Sequence, residues 1–159
     1  MQEAPVKSFL DETDEKILKI LQENGRITNA DLAKAIELSP PSALQRVRRL
    51  ERAGYILGYT ALLDPEKLGY SITVWAMMSL TLHQDQPIER FRSRVMEVPE
   101  VVECYNVSGE YDFLLKILVA DIRAYESLMR ETLSRIEGVR QMQSSFVLGV
   151  TKHTTHIPV

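Results

Sequence analysis

A short basic segment, residues 39 to 55, carries two sets of side chains at helical spacing. The polar set consists of Ser42, Gln45, Arg46 and Arg49. The apolar set, on another face of the same helix, consists of Ala43, Val47 and Leu50. Arginine can bind guanine or a phosphate bidentately, glutamine can pair with adenine, and a serine hydroxyl can meet either kind of group. The polar face therefore predicts contact with DNA.

The local charge of this segment agrees with that interpretation. The formal net charge of the whole chain is -3, but residues 39 to 55 hold four arginines and only one acidic residue, Glu51. Whether a phosphate backbone can approach depends on the local sign of the charge. We therefore include Arg48, the remaining arginine in the middle of the segment, among the predicted DNA-binding residues.

The elements before this segment predict a three-helix frame. "DETDEKILKILQENG" has an apolar stripe at helical spacing, and "TNADLAKAIEL" follows with Thr28 as its expected N-cap. Ser39 suits the N-cap of the third helix, and Pro40 suits its first turn, where a backbone N–H has no helical partner. In a helix-turn-helix the N-terminal half of such a helix reaches the base edges.

A basic helical face is more often merely solvated, and the three-helix frame is what favours DNA contact here. Arg46 and Arg49 both point away from the apolar set. We therefore expect Arg46→Ala and Arg49→Ala to weaken DNA binding and to leave the fold intact.

The second part of the chain has a different periodicity. The pattern from Ile56 to Leu63 is β-like, and turn residues follow in "DPEKLGY". We place a boundary near Asp64, with a helix-turn-helix domain and β linker at 1–63 and a second domain at 64–159. "SITVWAMMSLTLH" alternates like a strand, and the later patterns complete the order β-α-β-β-α-β. The predicted fold class is α+β, with a ferredoxin-like second domain.

A second candidate site is the segment "SGEYDFLL". Its loop residues are Gly109, Glu110, Tyr111 and Asp112. Such a sequence between two strands is most often a plain hairpin. The same loop could instead offer backbone N–H groups and a carboxylate to the two opposite charges of an α-amino acid. The pattern leaves both readings open.

Catalytic and metal-binding patterns are weak. His153 and His156 lack neighbouring carboxylates or cysteines, His83 is expected at the end of a strand, and Cys104 is the single cysteine. We find no nucleophile with a base, no phosphate-binding loop and no cofactor motif, so we expect neither an enzyme nor a metalloprotein. The sequence shows no signal peptide or membrane-spanning run, which makes the cytoplasm the expected location.

Two stretches resemble a known family. "LDETDEKILKILQENGRITNADLAKAIELSPPSALQRVRRLERAGYILGYTALLDP" and "VSGEYDFLLKI" are similar to the Lrp/AsnC (feast/famine) family of bacterial and archaeal transcription regulators, from Leu10 onward. The resemblance implies homodimers formed by sheet packing, assembled into tetramers, octamers or larger particles. One departure is Glu37, where the family usually has a glycine that accepts a positive φ.

The resemblance also implies roles for individual residues. Thr28 and Asn29 would lie near DNA phosphates, beside the recognition face of Ser42, Gln45, Arg46 and Arg49. The effector pocket would involve Gly109, Glu110, Tyr111 and Asp112 at a junction between dimers, with Ser144 lining the same pocket. The expected partners are double-stranded DNA, further copies of the chain and an amino-acid effector.

Two other functions are compatible with a two-domain architecture of this kind. Sirohaem decarboxylases resemble it, but such an enzyme would not need the intact "SALQRVRRL" face. A metabolite sensor that does not bind DNA is the other alternative. Trp75 and Met77 lie on the otherwise polar face of the first long strand, which predicts either a dimer surface there or coverage by the chain's own C-terminal segment.

Overall fold

A computed structural model of the chain describes residues 10–81 and 86–159. They form two compact units: one runs to Leu62 and also contains Lys152–Val159, and the other is Leu63–Thr151. Leu82 and His83, which the alternating pattern assigns to the end of the first strand, lie outside the described residues.

Three helices form the first unit: α1 (Glu12–Glu23), α2 (Asn29–Ala35) and α3 (Pro40–Arg52). Each begins at the kind of N-cap that leaves few helix N–H groups unpaired: Asp11, Thr28 and Ser39 accept from backbone N–H groups of the first turn. The shared core consists of Ile17, Leu18, Leu32, Ala33, Ile36, Ala43 and Leu50.

The turn between α2 and α3 has the positive φ that the family resemblance suggested. Glu37 has φ 56°, the only positive φ of a non-glycine residue in the described ranges. A side chain in this left-handed region is strained because its Cβ approaches the following carbonyl. The turn therefore keeps the geometry of a glycine turn at some cost in free energy.

The β-like segment that follows α3 is not a strand within the single chain. Residues 56–64 have no ladder partner, so the expectation of a β linker is wrong for one chain by itself. Instead, Ile56 packs against the helical core, and the Tyr59 hydroxyl donates to Glu51 Oε1 at 3.1 Å. A strand needs a neighbour to accept its hydrogen bonds, and none is present here.

The C-terminal residues 152–159 belong to the first unit. The side-chain amide of Gln22, on α1, forms two hydrogen bonds with the backbone of Ile157. Gln22 Nε2 donates to the Ile157 carbonyl at 3.0 Å, and Gln22 Oε1 accepts from the Ile157 N–H at 2.6 Å. The chain thus leaves the first unit, builds the second and returns.

The second unit is a four-stranded antiparallel sheet covered by two helices. Its elements are β1 (Ile72–Leu80), α4 (Gln86–Met96), β2 (Val101–Asn106), β3 (Phe113–Val119), α5 (Ile122–Glu131) and β4 (Val139–Phe146). The strand order is β2-β3-β1-β4. This is the predicted βαββαβ arrangement, so the α+β fold class is confirmed. The last strand ends at Phe146.

The core of this unit lies between the sheet and α4 and α5. The inward strand residues include Val74, Ala76 and Met78 of β1 and Leu115 and Ile117 of β3, all fully buried. The opposite face of the sheet carries half-buried side chains, among them Trp75 and Met77, which lie opposite Lys116 and Leu114 of β3. Among the residues that the structure describes, no helix of the unit packs on that second face.

Cys104 lies on β2 and is exposed. Its register partner Leu115 is fully buried, but β2 lies at the edge of the sheet. Partial burial nevertheless raises the pKa of the thiol. Within residues 10–81 and 86–159, no helix is long and apolar enough to span a bilayer.

Candidate nucleic-acid and effector sites

The N-terminal end of α3 is fixed by three local contacts. Ser39 caps the helix, and its hydroxyl is 2.8 Å from that of Ser42. Asn29 Nδ2, at the start of α2, donates to the carbonyl oxygen of Pro40 at 2.8 Å. The two helices of the turn are thereby joined where DNA would approach. The Thr28 hydroxyl is also engaged within the protein, since it caps α2 and donates to Asp31 Oδ2 at 2.6 Å.

The predicted recognition face is assembled as the spacing indicated. Ala43 and Leu50 are buried, and a shallow cleft of about 310 Å³ opens on the other side of α3. The residues lining it are Ser42, Gln45, Arg46, Arg49 and Arg52. Arg52 was not among the residues predicted to bind DNA. Arg48 is exposed but does not line the cleft.

Two of these arginines are held by carboxylates of α1. Arg46 Nη1 donates to Asp11 Oδ2 at 2.6 Å and to Asp14 Oδ1 at 2.9 Å, and Arg49 Nη2 donates to Asp14 Oδ2. The Asp14 side chain is 1% exposed, whereas that of Asp11 is 50% exposed. The hydrogen bond from Arg46 holds the pKa of Asp11 below its usual value, and the two carboxylates raise the pKa of Arg46.

This pairing revises one expectation from the sequence. Arg46→Ala or Arg49→Ala would remove a partner from a buried charge, and breaking a buried pair on one side is strongly destabilising. Alanine at either position should therefore weaken the fold of the first unit as well as DNA binding. The two effects must be separated experimentally.

Asp14 could have been suspected from the sequence. It lies at i, i+3 and i+4 with Ile17 and Leu18, on the buried stripe of α1. A carboxylate on an apolar stripe needs a cationic or hydrogen-bonding partner. The spacing does not say which residue supplies it, because the partners are 32 and 35 positions away along the chain.

The second candidate site is the β2–β3 hairpin. Gly109 has φ 126°, and an added Cβ would meet no atom within 4 Å, so the loop tip is open. The Asp112 carbonyl accepts from the N–H of Val107 at 2.9 Å and from Asn106 Nδ2 at 3.0 Å. The hairpin is therefore closed by Asp112, while Glu110 is exposed at its tip.

Asp112 also ties the hairpin to β1. Its N–H donates to the Met78 carbonyl at 2.9 Å, and its Oδ2 accepts from the Leu80 N–H at 2.7 Å. Asp112 precedes β3, which begins at Phe113. Its carboxylate therefore accepts the Leu80 N–H in place of a backbone carbonyl of a neighbouring strand. These bonds favour the structural reading of Asp112, and a contact with a ligand ammonium stays a prediction.

Ser144 and Tyr111 are directed to different faces of the sheet. The Ser144 hydroxyl bonds the hydroxyl of Tyr125 on α5, on the helix-covered face. The Tyr111 hydroxyl donates at 2.5 Å to Gln143 Oε1, which lies opposite Met77 on the other face. One chain therefore does not bring Ser144 and the hairpin into a single pocket, and its role as a lining residue stays a prediction. The described residues contain no cluster of three potential metal ligands.

Comparison with known families matches both halves of the chain. Residues 10–56 match a winged helix-turn-helix DNA-binding domain, and residues 73–157 match the Lrp/AsnC ligand binding domain. The chain belongs to the Lrp/AsnC family. The expected two-part regulator, with a DNA-binding and a ligand-binding domain, is thereby confirmed.

Individual relatives of this Lrp/AsnC protein are regulators rather than enzymes. The leucine-responsive regulatory protein of Klebsiella pneumoniae is 43% identical over 150 residues, which cover 94% of this chain and 92% of the relative. The protein of the same name from Escherichia coli K12 is 42% identical over 150 residues, which again cover 94% of this chain and 92% of the relative. The enzymatic alternative is therefore not supported.

Solved structures agree with this Lrp/AsnC assignment. A transcriptional regulator from Neisseria meningitidis, determined as its L-Met complex, has a TM-score of 0.90 and 41% identity, covering 94% of this chain and 97% of the other. An AsnC family transcriptional regulator from Agrobacterium tumefaciens has a TM-score of 0.87 and 39% identity, with the same coverage of both chains.

Proposed function

We propose that this protein is a homo-oligomeric transcription regulator that reads its operator with α3 and responds to an apolar L-amino acid such as leucine or methionine. The observation that carries the DNA part is the cleft on α3, which gathers one serine, one glutamine and three arginines on a single exposed side. We assign DNA binding to residues 1–63, and ligand binding and dimerisation to residues 64–159. Because it acts on DNA, we place it in the cytoplasm.

The chemistry of the cleft suits base recognition in the major groove. Gln45 is exposed in the N-terminal half of α3 and can pair bidentately with adenine, and Arg46 or Arg49 can pair with guanine. Ser42 can approach either a base or a phosphate. We assign contacts with the DNA backbone to Thr28, Asn29 and Arg48, which do not line the cleft. Such contacts would orient the helix without specifying sequence.

The effector part rests on the relatives and on the chemistry of the hairpin. One relative at 43% identity is named for its response to leucine, and one similar structure holds L-Met. Both ligands have an apolar side chain on an amino-acid head group. We assign the head group to the hairpin residues Gly109, Glu110, Tyr111 and Asp112, and we place Ser144 in the same pocket only when a second dimer completes it.

The oligomer part is supported by the helix-free face of the sheet. Trp75 and Met77 are half-buried there, and the Lys116 ammonium lies 5.9 Å from the centre of the Trp75 ring while pairing with Glu103 at 2.8 Å. An indole and a thioether on an open sheet face are better accounted for by a partner sheet than by water. We propose that two chains pack these faces together.

The test is a mobility-shift assay on the DNA upstream of the protein's own coding sequence, repeated with each proteinogenic amino acid. We expect a shift whose affinity falls steeply with salt, because every phosphate contact releases counterions. We also expect leucine or methionine to change the affinity or the stoichiometry. A random-sequence duplex of the same length is the reference.

Gln45→Ala is the sharpest variant, because the described structure shows no bond from this exposed side chain to the protein. It should lose about 1–3 kcal/mol of operator affinity with an unchanged melting temperature. Lys19→Ala, at an exposed position of α1, is the control and should bind like the parent. If the parent shows no salt-dependent DNA binding, the chain is a metabolite sensor only and the proposal fails.

A further inference from the structure

We propose that Asp14 is a positioning residue that sets the DNA sequence preference of α3 by holding Arg46 and Arg49 in one arrangement. The inference rests on the proposed function, since it concerns how the same cleft discriminates between DNA sequences. Asp14 does not line the cleft and is buried behind it. Its contribution to DNA binding would be indirect, through the two guanidinium groups.

The geometry of the contact is the first argument. The two oxygens of one carboxylate are divided between two arginines, Oδ1 for Arg46 and Oδ2 for Arg49. A guanidinium has five N–H donors in a rigid fork. The contacts to Asp14 use a single terminal nitrogen of each arginine, so they orient the fork and leave further donors for a base edge. The Arg46 and Arg49 side chains are 30% and 54% exposed, which agrees with this division.

The immobility of Asp14 is the second argument. Its side chain is 1% exposed, and Oδ2 also accepts from the Asp11 N–H at 3.3 Å in a capping box. A free arginine side chain has many rotamers, so ordering it before DNA arrives reduces the entropy cost of binding. A fixed carboxylate beneath the helix is suited to this. An exposed acidic residue would reorient as freely as the arginine itself.

Charge is the third argument. Two aspartates neutralise two arginines at the centre of the cleft, which weakens the attraction of Arg46 and Arg49 for any phosphate, whatever the sequence. A bidentate hydrogen bond to guanine depends on orientation as well as charge. Asp14 should therefore lower affinity for random DNA and raise affinity for the operator. The quantity it controls is the ratio of the two.

The experiment measures the dissociation constants of full-length parent and Asp14→Asn for the upstream fragment and for a random duplex of equal length. We expect the operator-to-random ratio to fall roughly five- to hundred-fold, the size of one lost base contact. Inactive protein cancels in this ratio. If Asp14 only supports the fold, both affinities fall together and the ratio stays constant, which would overturn the proposal.

Asp11→Asn is the matched control, because it removes the exposed carboxylate that shares Arg46 and leaves Asp14 in place. It should strengthen binding to both duplexes by a similar factor and keep their ratio.

A second comparison covers the case in which Asp14→Asn does not fold. The double variant Asp14→Asn/Arg49→Gln removes both charges of one ion pair. Its operator-to-random affinity ratio should lie below that of the single variant Arg49→Gln. Equal ratios in the two variants would overturn the proposal. A parent without DNA binding would reject the proposed function itself.

Discussion

Asp112 Oδ2 accepts a 2.7 Å hydrogen bond from the backbone N–H of Leu80. The bond crosses from the loop before β3 to the end of β1, where the pairing of β1 with β4 also shifts register between Ser79 and Leu80. A side chain thus completes the ladder where the strand pairing is irregular. The residue that we assign to the ligand head group is also part of the framework of the sheet.

Asp112→Ala should destabilise the second unit by about 1–3 kcal/mol, because it leaves a partly buried N–H without its acceptor. Asp112→Asn keeps an acceptor oxygen and should be milder. Thermal unfolding followed by the fluorescence of Trp75, the single tryptophan, reports on this unit. Glu110→Ala, at the exposed tip of the same hairpin, should melt like the parent.

Asp112→Asn also tests the ligand assignment. If the carboxylate receives the ligand ammonium, the affinity for leucine or methionine should fall roughly ten- to hundred-fold, the cost of one charge-assisted hydrogen bond. Calorimetric titration measures it directly. Parent-like affinity in a variant with a preserved melting temperature would leave Asp112 with the structural role alone.

Glu37→Gly should stabilise the first unit by up to about 1 kcal/mol. The left-handed backbone at φ 56° costs a non-glycine residue about 1–2 kcal/mol, and the greater freedom of glycine in the unfolded chain takes back part of that gain. Glu37→Ala keeps the strained Cβ and should not be stabilised. Far-UV circular dichroism melts compare the three proteins, and equal gains in both variants would point to the Glu37 carboxylate instead.

Met77→Lys should convert the oligomer to smaller species in light scattering. Met77 lies on the open face of the sheet that we assign to the dimer, where a buried ammonium would lack a partner. Met96→Lys is the matched control: Met96 is 86% exposed on α4, on the opposite layer. An unchanged particle size for Met77→Lys, with normal secondary structure, would place the dimer elsewhere.

The contact between Asp11 and Arg46 should make the first unit sensitive to acid. The pKa of Asp11 is lowered in the folded chain, so its contribution to stability is present above about pH 4 and is lost as the pH falls through the lowered value. The melting difference between parent and Asp11→Asn should therefore be largest near neutral pH and should shrink as the pH falls below the ordinary pKa of an aspartate. Glu12→Gln, on the same helical turn, controls for the loss of a charge from the helix N-terminus.

The parts of the fold that repeat locally could be predicted from the sequence. The polar face of α3 follows from 3.6-residue periodicity and a Ser-Pro start, and β1 follows from strict alternation. The positive φ at Glu37 was indicated by the residue that usually stands there in similar proteins. For α3 and β1 the information lies in neighbours along the chain, whereas for Glu37 it came from the family resemblance.

Contacts between distant parts of the chain could not be predicted in this way. The partners of Asp14 and of Asp112 lie more than thirty positions away, and periodicity says only that a buried carboxylate needs some partner. Residues 56–64 read as a strand because their composition suits one, yet a strand requires a neighbour that a single chain does not supply. The faces of Ser144 and Tyr111 depended on strand register, which spacing leaves undetermined.

The return of the chain to the first unit has a practical consequence for protein engineering. Because Gln22 holds the backbone of Ile157, a fragment that stops after the third helix lacks a segment that this unit normally contains. A peptide tag or reporter fused after Val159 would emerge beside the DNA-binding helices, and the same holds for a surface-immobilisation handle. Attachment within an exposed loop of the sheet unit would leave the contact between Gln22 and Ile157 undisturbed.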